Sequence, residues 1–152
     1  MAKTTTLPIT QNIQSAFGTL LNADSFSAAN GGTAPTNTKL LCTAGADGSI
    51  LKSLVISSDD SSARVVQFWL STDAGTTKYL IGSISVAANG GTNGSNANVD
   101  FLGSSILVGM CTDSSGKYVI LLAANAKVYY CVTTAAVTSG RTVYISSMLE
   151  DF

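Results

Sequence analysis

No histidine occurs in this chain of 152 residues, so neither a Ser-His-Asp triad nor a Cys-His dyad can be assembled from it. Charge is scarce as well. Asp, Glu, Lys and Arg make up 11% of the sequence, well under the roughly 25% of an average soluble domain. The basic residues are scattered as Lys3, Lys39, Lys52, Arg64, Lys78, Lys117, Lys127 and Arg141, and the net charge is −1. No basic stripe tracks a phosphate backbone, so nucleic acid is not an expected partner. No apolar run approaches the ~18 residues of a membrane span, and membrane association is not expected either. The opening Met-Ala-Lys-Thr-Thr-Thr lacks the apolar core of a secretory signal, which points to synthesis and assembly in a cytoplasm.

Cysteine is limited to Cys42, Cys111 and Cys131, which cannot all pair within one chain and show no metal-ligand spacing. Cys42 and Cys131 lie in Leu-Leu-Cys-Thr and Tyr-Tyr-Cys-Val, contexts of small buried hydrophobes with free thiols. The carboxylate pairs Asp59-Asp60 and Glu150-Asp151 are adjacent residues at a turn and at a terminus, where solvation is expected rather than acid–base work. No Asp-x-Asp-x-Asp-Gly ladder offers calcium a loop. The glycine clusters Gly31-Gly32 and Gly90-Gly91-Thr92-Asn93-Gly94 lack both a P-loop lysine and a following helix. No catalytic residue, metal ligand or cofactor site is therefore expected, and the chain reads as a non-enzyme.

What is present is apolar residues at 45%, enough for one sizeable core, with 20 serines and 18 threonines in place of charge. Such a surface desolvates at lower cost than a charged one and suits a protein packed against neighbours. Three strand-like stretches follow one another over residues 51–57, 63–71 and 78–86, separated by Ser58-Asp59-Asp60-Ser61-Ser62 and Thr72-Asp73-Ala74-Gly75-Thr76-Thr77. In the middle one Val66, Phe68 and Leu70 share a face, with Val65, Gln67 and the single tryptophan, Trp69, on the other. In the first, Lys52, Leu54 and Ile56 alternate with Leu51, Ser53 and Val55; in the third, Leu80, Ile84 and Val86 lie opposite Tyr79 and Ile81. Further strands are expected over 39–44, 99–102, 117–122, 127–133 and 141–149. Over 11–21 the spacing of Ile13, Phe17, Leu20 and Leu21 is helical, but Gly18 and Thr19 oppose a helix and a strand is favoured. The sum is eight or nine strands without a helix: an all-β, antiparallel, jelly-roll-like sandwich over 11–152, preceded by an extended arm over 1–10. Ala87-Ala88-Asn89-Gly90-Gly91-Thr92 repeats Ala28-Ala29-Asn30-Gly31-Gly32-Thr33, as equivalent corners of a sandwich would.

Several stretches carry a family likeness together: Leu7-Pro8-Ile9-Thr10, Thr43-Ala44-Gly45-Ala46-Asp47-Gly48-Ser49, Ser58-Asp59-Asp60-Ser61-Ser62-Ala63-Arg64, Tyr79-Leu80-Ile81-Gly82, Ala88-Asn89-Gly90-Gly91, and Thr142-Val143-Tyr144 with the closing Asp151-Phe152. The pattern resembles small virion proteins of tailed bacteriophages, of the capsid cement or decoration type. The chain departs from it at Gly109-Met110-Cys111-Thr112-Asp113, where a proline-containing turn belongs. The resemblance implies a jelly-roll-like sandwich, a homotrimer, the major capsid protein as partner, and a place on the capsid surface of a particle assembled in the bacterial cytoplasm. The function it implies is to bind the outside of the capsid and stabilise the mature shell. Candidate contacts are Thr4, Thr5, Thr6, Leu7, Pro8 and Ile9 in the arm, with Ile106, Leu107, Val108 and Met110 in an apolar loop. A different reading is a tail- or fibre-associated module that binds host-surface carbohydrate, with Trp69 and the tyrosines as its stacking face.

Overall fold

The computed structural model describes residues 12–24, 37–104, 110–133 and 135–152. Ten strands and one helical turn are found among them: β1 (Asn12–Leu21), β2 (Lys39–Thr43), β3 (Ser49–Ser58), β4 (Arg64–Ser71), β5 (Tyr79–Val86), β6 (Val99–Asp100), α1 (Phe101–Ser104), β7 (Met110–Thr112), β8 (Tyr118–Leu122), β9 (Lys127–Thr133) and β10 (Thr142–Asp151). The all-β sandwich expected from the sequence is what the chain forms, with two antiparallel sheets. One runs β1-β10-β3-β8-β7, with β6 also on β3, and the other runs β2-β9-β4-β5. α1 is a departure from the helix-free expectation: Asp100 Oδ1 accepts the Leu102 N–H at 3.1 Å, starting a turn that drops Phe101 and Leu102 into the core.

The three successive strands over 51–86 are not one meander. β3 belongs to the six-stranded sheet, while β4 and β5 form a hairpin in the four-stranded one. The link over residues 59–63 is thus a corner that carries the chain across the sandwich, and residues 123–126 carry it across again between β8 and β9. Periodicity reports that a strand has a buried face. It does not report which sheet the strand joins.

Leu51, Leu54 and Ile56 of β3 are buried against Val66 and Phe68 of β4 and Val128, Tyr130 and Val132 of β9 in one core. Phe68 and Phe101 meet across it with ring centroids 4.6 Å apart. Two bulges correct the alternation expected from sequence. The β3–β10 register shifts between Met148 and Leu149, which leaves Lys52 unpaired and brings Leu51 to the core with Leu54 and Ile56. In β5 the shift opposite Phe68/Trp69 makes Ile81 the extra residue, so Leu80 leaves the face of Ile84 and Val86 and pairs with Trp69.

β1 is a strand, as favoured. Ile13, Phe17 and Leu21 share parity, so the spacing that suits a helix suits one face of a strand equally well. Gly18 has its own reason to be in it. A Cβ there would lie 2.5 Å from Tyr130 Oη, and that hydroxyl accepts the Thr19 N–H at 3.1 Å. The missing side chain lets a tyrosine of one sheet reach the outermost strand of the other. Gly18→Ala is expected to displace the Tyr130 ring and cost about 1–3 kcal/mol, measured by urea unfolding; an unchanged midpoint would show that Tyr130 does not hold β1.

Candidate functional site

The side chains with most chemistry are gathered in two polar clamps at opposite ends of β3. At one end Asp60 is fully buried. Its carboxylate accepts from Arg64 Nε at 2.7 Å, from the Thr138 N–H and Oγ1 at 2.8 Å each, and from the Ser62 N–H at 3.0 Å. Burial pushes the Asp60 carboxyl up, but the Arg64 hydrogen bond and the backbone donors outweigh it and hold it well below the usual carboxylate range. Asp59 beside it accepts the Thr142 N–H at 2.5 Å. At the other end Asp151 is buried, accepting from Ser49 Oγ at 2.5 Å and from Gln14 Nε2. The Ser49 hydrogen bond outweighs burial there and lowers its pKa as well. Glu150 pairs with Lys52 at 2.8 Å.

The expectation that these paired carboxylates are solvated is therefore wrong for Asp60 and Asp151. Both fill short corners whose backbone N–H groups have no strand to bond, and a carboxylate supplies the acceptors. Each is saturated by structural donors, so neither is free to act as acid or base.

The outward face of the six-stranded sheet is different in character. Its residues stand in cross-strand rows: Phe17–Ser146–Val55, Thr19–Tyr144–Ser57, Ser15–Met148–Ser53, and Ile13–Glu150–Ile50–Leu121. Ile13, Phe17, Leu121, Tyr144 and Met148 are all exposed. Of the charges on this face, Lys52 pairs with Glu150, and Asp100, opposite Val55, lines a groove with Lys52 and Lys117. Exposed apolar side chains gathered on one face in this way are a feature that contact surfaces share. The rows of this face join residues far apart in the chain, so in the sequence Ile13 and Phe17 read only as helix or strand signals.

The remaining candidates are dispersed. The N-terminal contacts Thr4, Thr5, Thr6, Leu7, Pro8 and Ile9, and Ile106, Leu107 and Val108 of the loop, lie outside the described residues, as does the first copy of the repeat. Met110 starts β7 and is half-buried, packed against the core. Trp69 is fully buried, flanked across the sheet by Tyr129 and Leu80. Its indole N–H leans toward the Cys131 thiol without full hydrogen-bond geometry. Tyr130 is buried too, while Tyr79, Tyr118 and Tyr144 are exposed on three different strands. No stacking face that includes Trp69 forms among the described residues. All three thiols are free, and burial pushes that of Cys42 up to about 12, so it is inert as a nucleophile at neutral pH. Among the described residues no three Cys, Asp or Glu side chains converge as metal ligands. A groove of about 280 Å³ is lined by Lys52, Asp100, Leu102, Lys117 and Tyr118, among others.

Compared with family models, with curated proteins and with solved structures, the chain matches none.

The clamps carry a pH dependence. Asp60 and Asp151 have lowered folded-state pKa values, so the unfolded chain binds more protons in acid. Their stabilisation is complete above the unfolded carboxylate pKa of about 3.9 and is lost as pH falls through the folded values. Asp60→Asn strands the buried Arg64 guanidinium and is expected to cost about 3–5 kcal/mol at neutral pH. It should also flatten the acid limb of a denaturation series; a variant as stable as the wild type at pH 7 would remove the clamp from the account.

Proposed function

We propose that the protein is a structural component of a tailed-bacteriophage particle, which binds the outside of the capsid through the major capsid protein and stabilises the mature shell. The observation that carries the reading is the outward face of the six-stranded sheet, where Ile13, Phe17, Leu121, Tyr144 and Met148 are exposed and Lys52 and Glu150 form an ion pair. An adhesive role needs a rigid body with a face that desolvates cheaply. The sandwich supplies the body and this sheet the face. The virion resemblance of the turn and strand patterns supports the same reading, and the Asp60 and Asp151 carboxylates are taken up by structural hydrogen bonds.

The mechanism is linkage. A protein that binds the mature shell and not its precursor stabilises the mature form by the free energy of that binding, about 2.7 kcal/mol per site at a hundredfold excess over Kd. No covalent step is needed.

Purified heads stripped of the protein provide the test. Added back, the wild type is expected to bind stoichiometrically and raise the temperature at which shells release their contents. Leu121→Glu with Tyr144→Glu puts charge on the face and should weaken binding at least about tenfold, with folding unchanged. Removal of residues 1–10 should weaken it also. Heads that bind no protein, or bind it without a gain in thermal stability, would refute the capsid reading. Glycan-array binding by the wild type would favour the carbohydrate module instead.

A further inference from the structure

Each sheet ends in strands with one open side, and all but one of those margins are blunted. β7 has three residues. β2 has five and is interrupted by a register shift between Leu40 and Cys42. β5 carries the bulge at Ile81. Short length, bulges, charge and proline are the usual means by which edge strands avoid pairing with foreign chains. β1 has none of them. It runs for 10 residues without a charged residue or proline, and its register on β10 is unbroken from Asn12↔Asp151 to Leu21↔Thr142.

The direction of its backbone groups follows from their partners. The Thr19 N–H is bonded to Tyr130 Oη, the Thr19 carbonyl accepts from Lys39 Nζ at 2.9 Å, and the Leu21 N–H donates to Asp24 Oδ2 at 2.8 Å. All three partners lie away from β10, so the odd-numbered residues of β1 turn their N–H and C=O groups to the open side. The second half of the strand is thereby occupied. In the first half Ile13, Ser15 and Phe17 have no backbone partner on that side among the described residues. Their side chains stand on the outward face, with Ile13 65% and Phe17 78% exposed.

We propose that this half-strand is the binding site for a second copy of the chain, joined antiparallel about a two-fold axis through Ser15. In that register Ile13 faces Phe17 of the second copy, Ser15 faces Ser15, and Phe17 faces Ile13. Apolar meets apolar, hydroxyl meets hydroxyl, and no charge is brought beside its like. Because all three residues present both backbone groups, the pairing makes about six hydrogen bonds. It uses the open half of both strands at once, so it closes as a dimer and leaves no margin for a third chain. The two six-stranded sheets become one continuous sheet with a single outward face. The inference rests on the strand margin alone and stands whether or not the capsid reading holds.

Sedimentation equilibrium of the full chain at micromolar concentrations tests it, with an expected mass twice the 15.5 kDa of one chain. Amide exchange at Ile13, Ser15 and Phe17 should slow at least about tenfold as concentration rises through the dissociation constant. Ser15→Pro deletes a single N–H on the open side, a position where an edge strand tolerates proline, and is expected to give a folded monomer. Phe17→Lys sets a charge against Ile13 of the second copy and should raise Kd by at least about tenfold; it decides the matter should the proline variant fold poorly. A monomeric wild type overturns the proposal. So does a trimer, and so does a dimer that Phe17→Lys leaves intact with fast exchange at the three amides.

Discussion

The buried carboxylate of Asp60 is the interaction on which the arrangement of the two sheets depends. It sits where the chain leaves β3 for β4, and its bonds to Arg64 and Thr138 tie that corner to the segment entering β10. Two changes of sheet are thus fastened to one group. A carboxylate suits the place because the corner presents several N–H donors and one guanidinium. Asp151 does the corresponding work at the far end, where β2 turns into β3, through Ser49, whose hydroxyl also accepts the Gly45 N–H at 2.9 Å. Between the two clamps the core needs only shape and hydrophobicity.

Charged residues make up only 11% of the chain, and that shortage shapes what the surface can do. Exposed charges resist burial because they lose their hydration. The outward face of the six-stranded sheet has few charges and several exposed apolar side chains, so covering its apolar part releases water. The margin of β1 adds direction to this adhesion, since backbone hydrogen bonds are satisfied only in one register. Face and margin together are what the proposed adhesive role rests on.

Element identity was largely legible in the chain. β4, β9 and the β4–β5 hairpin follow from alternating Val, Ile and aromatic residues between turn clusters, because a half-buried strand imposes a period of two. Free, buried thiols at Cys42 and Cys131 were legible from their neighbours. The fate of the acidic pairs was not. Asp59-Asp60 reads as an exposed turn because sequence shows a polar cluster and gives no sign that Thr138 arrives beside it from 78 positions away. The contact face was also hidden, since its rows join residues from four strands.

The amino-acid sequence by itself determined that this protein is all-β, that it has one core, and that the usual histidine-based chemistry is closed to it. These follow from local periodicity and from residues that are simply missing. Only the tertiary structure decided which sheet each strand joins, which carboxylates are buried, where two bulges turn Leu51 inward and Leu80 outward, and which strand margin stays open. Each of these depends on partners distant in sequence, and a strand's pattern names the face it buries but never the neighbour it meets.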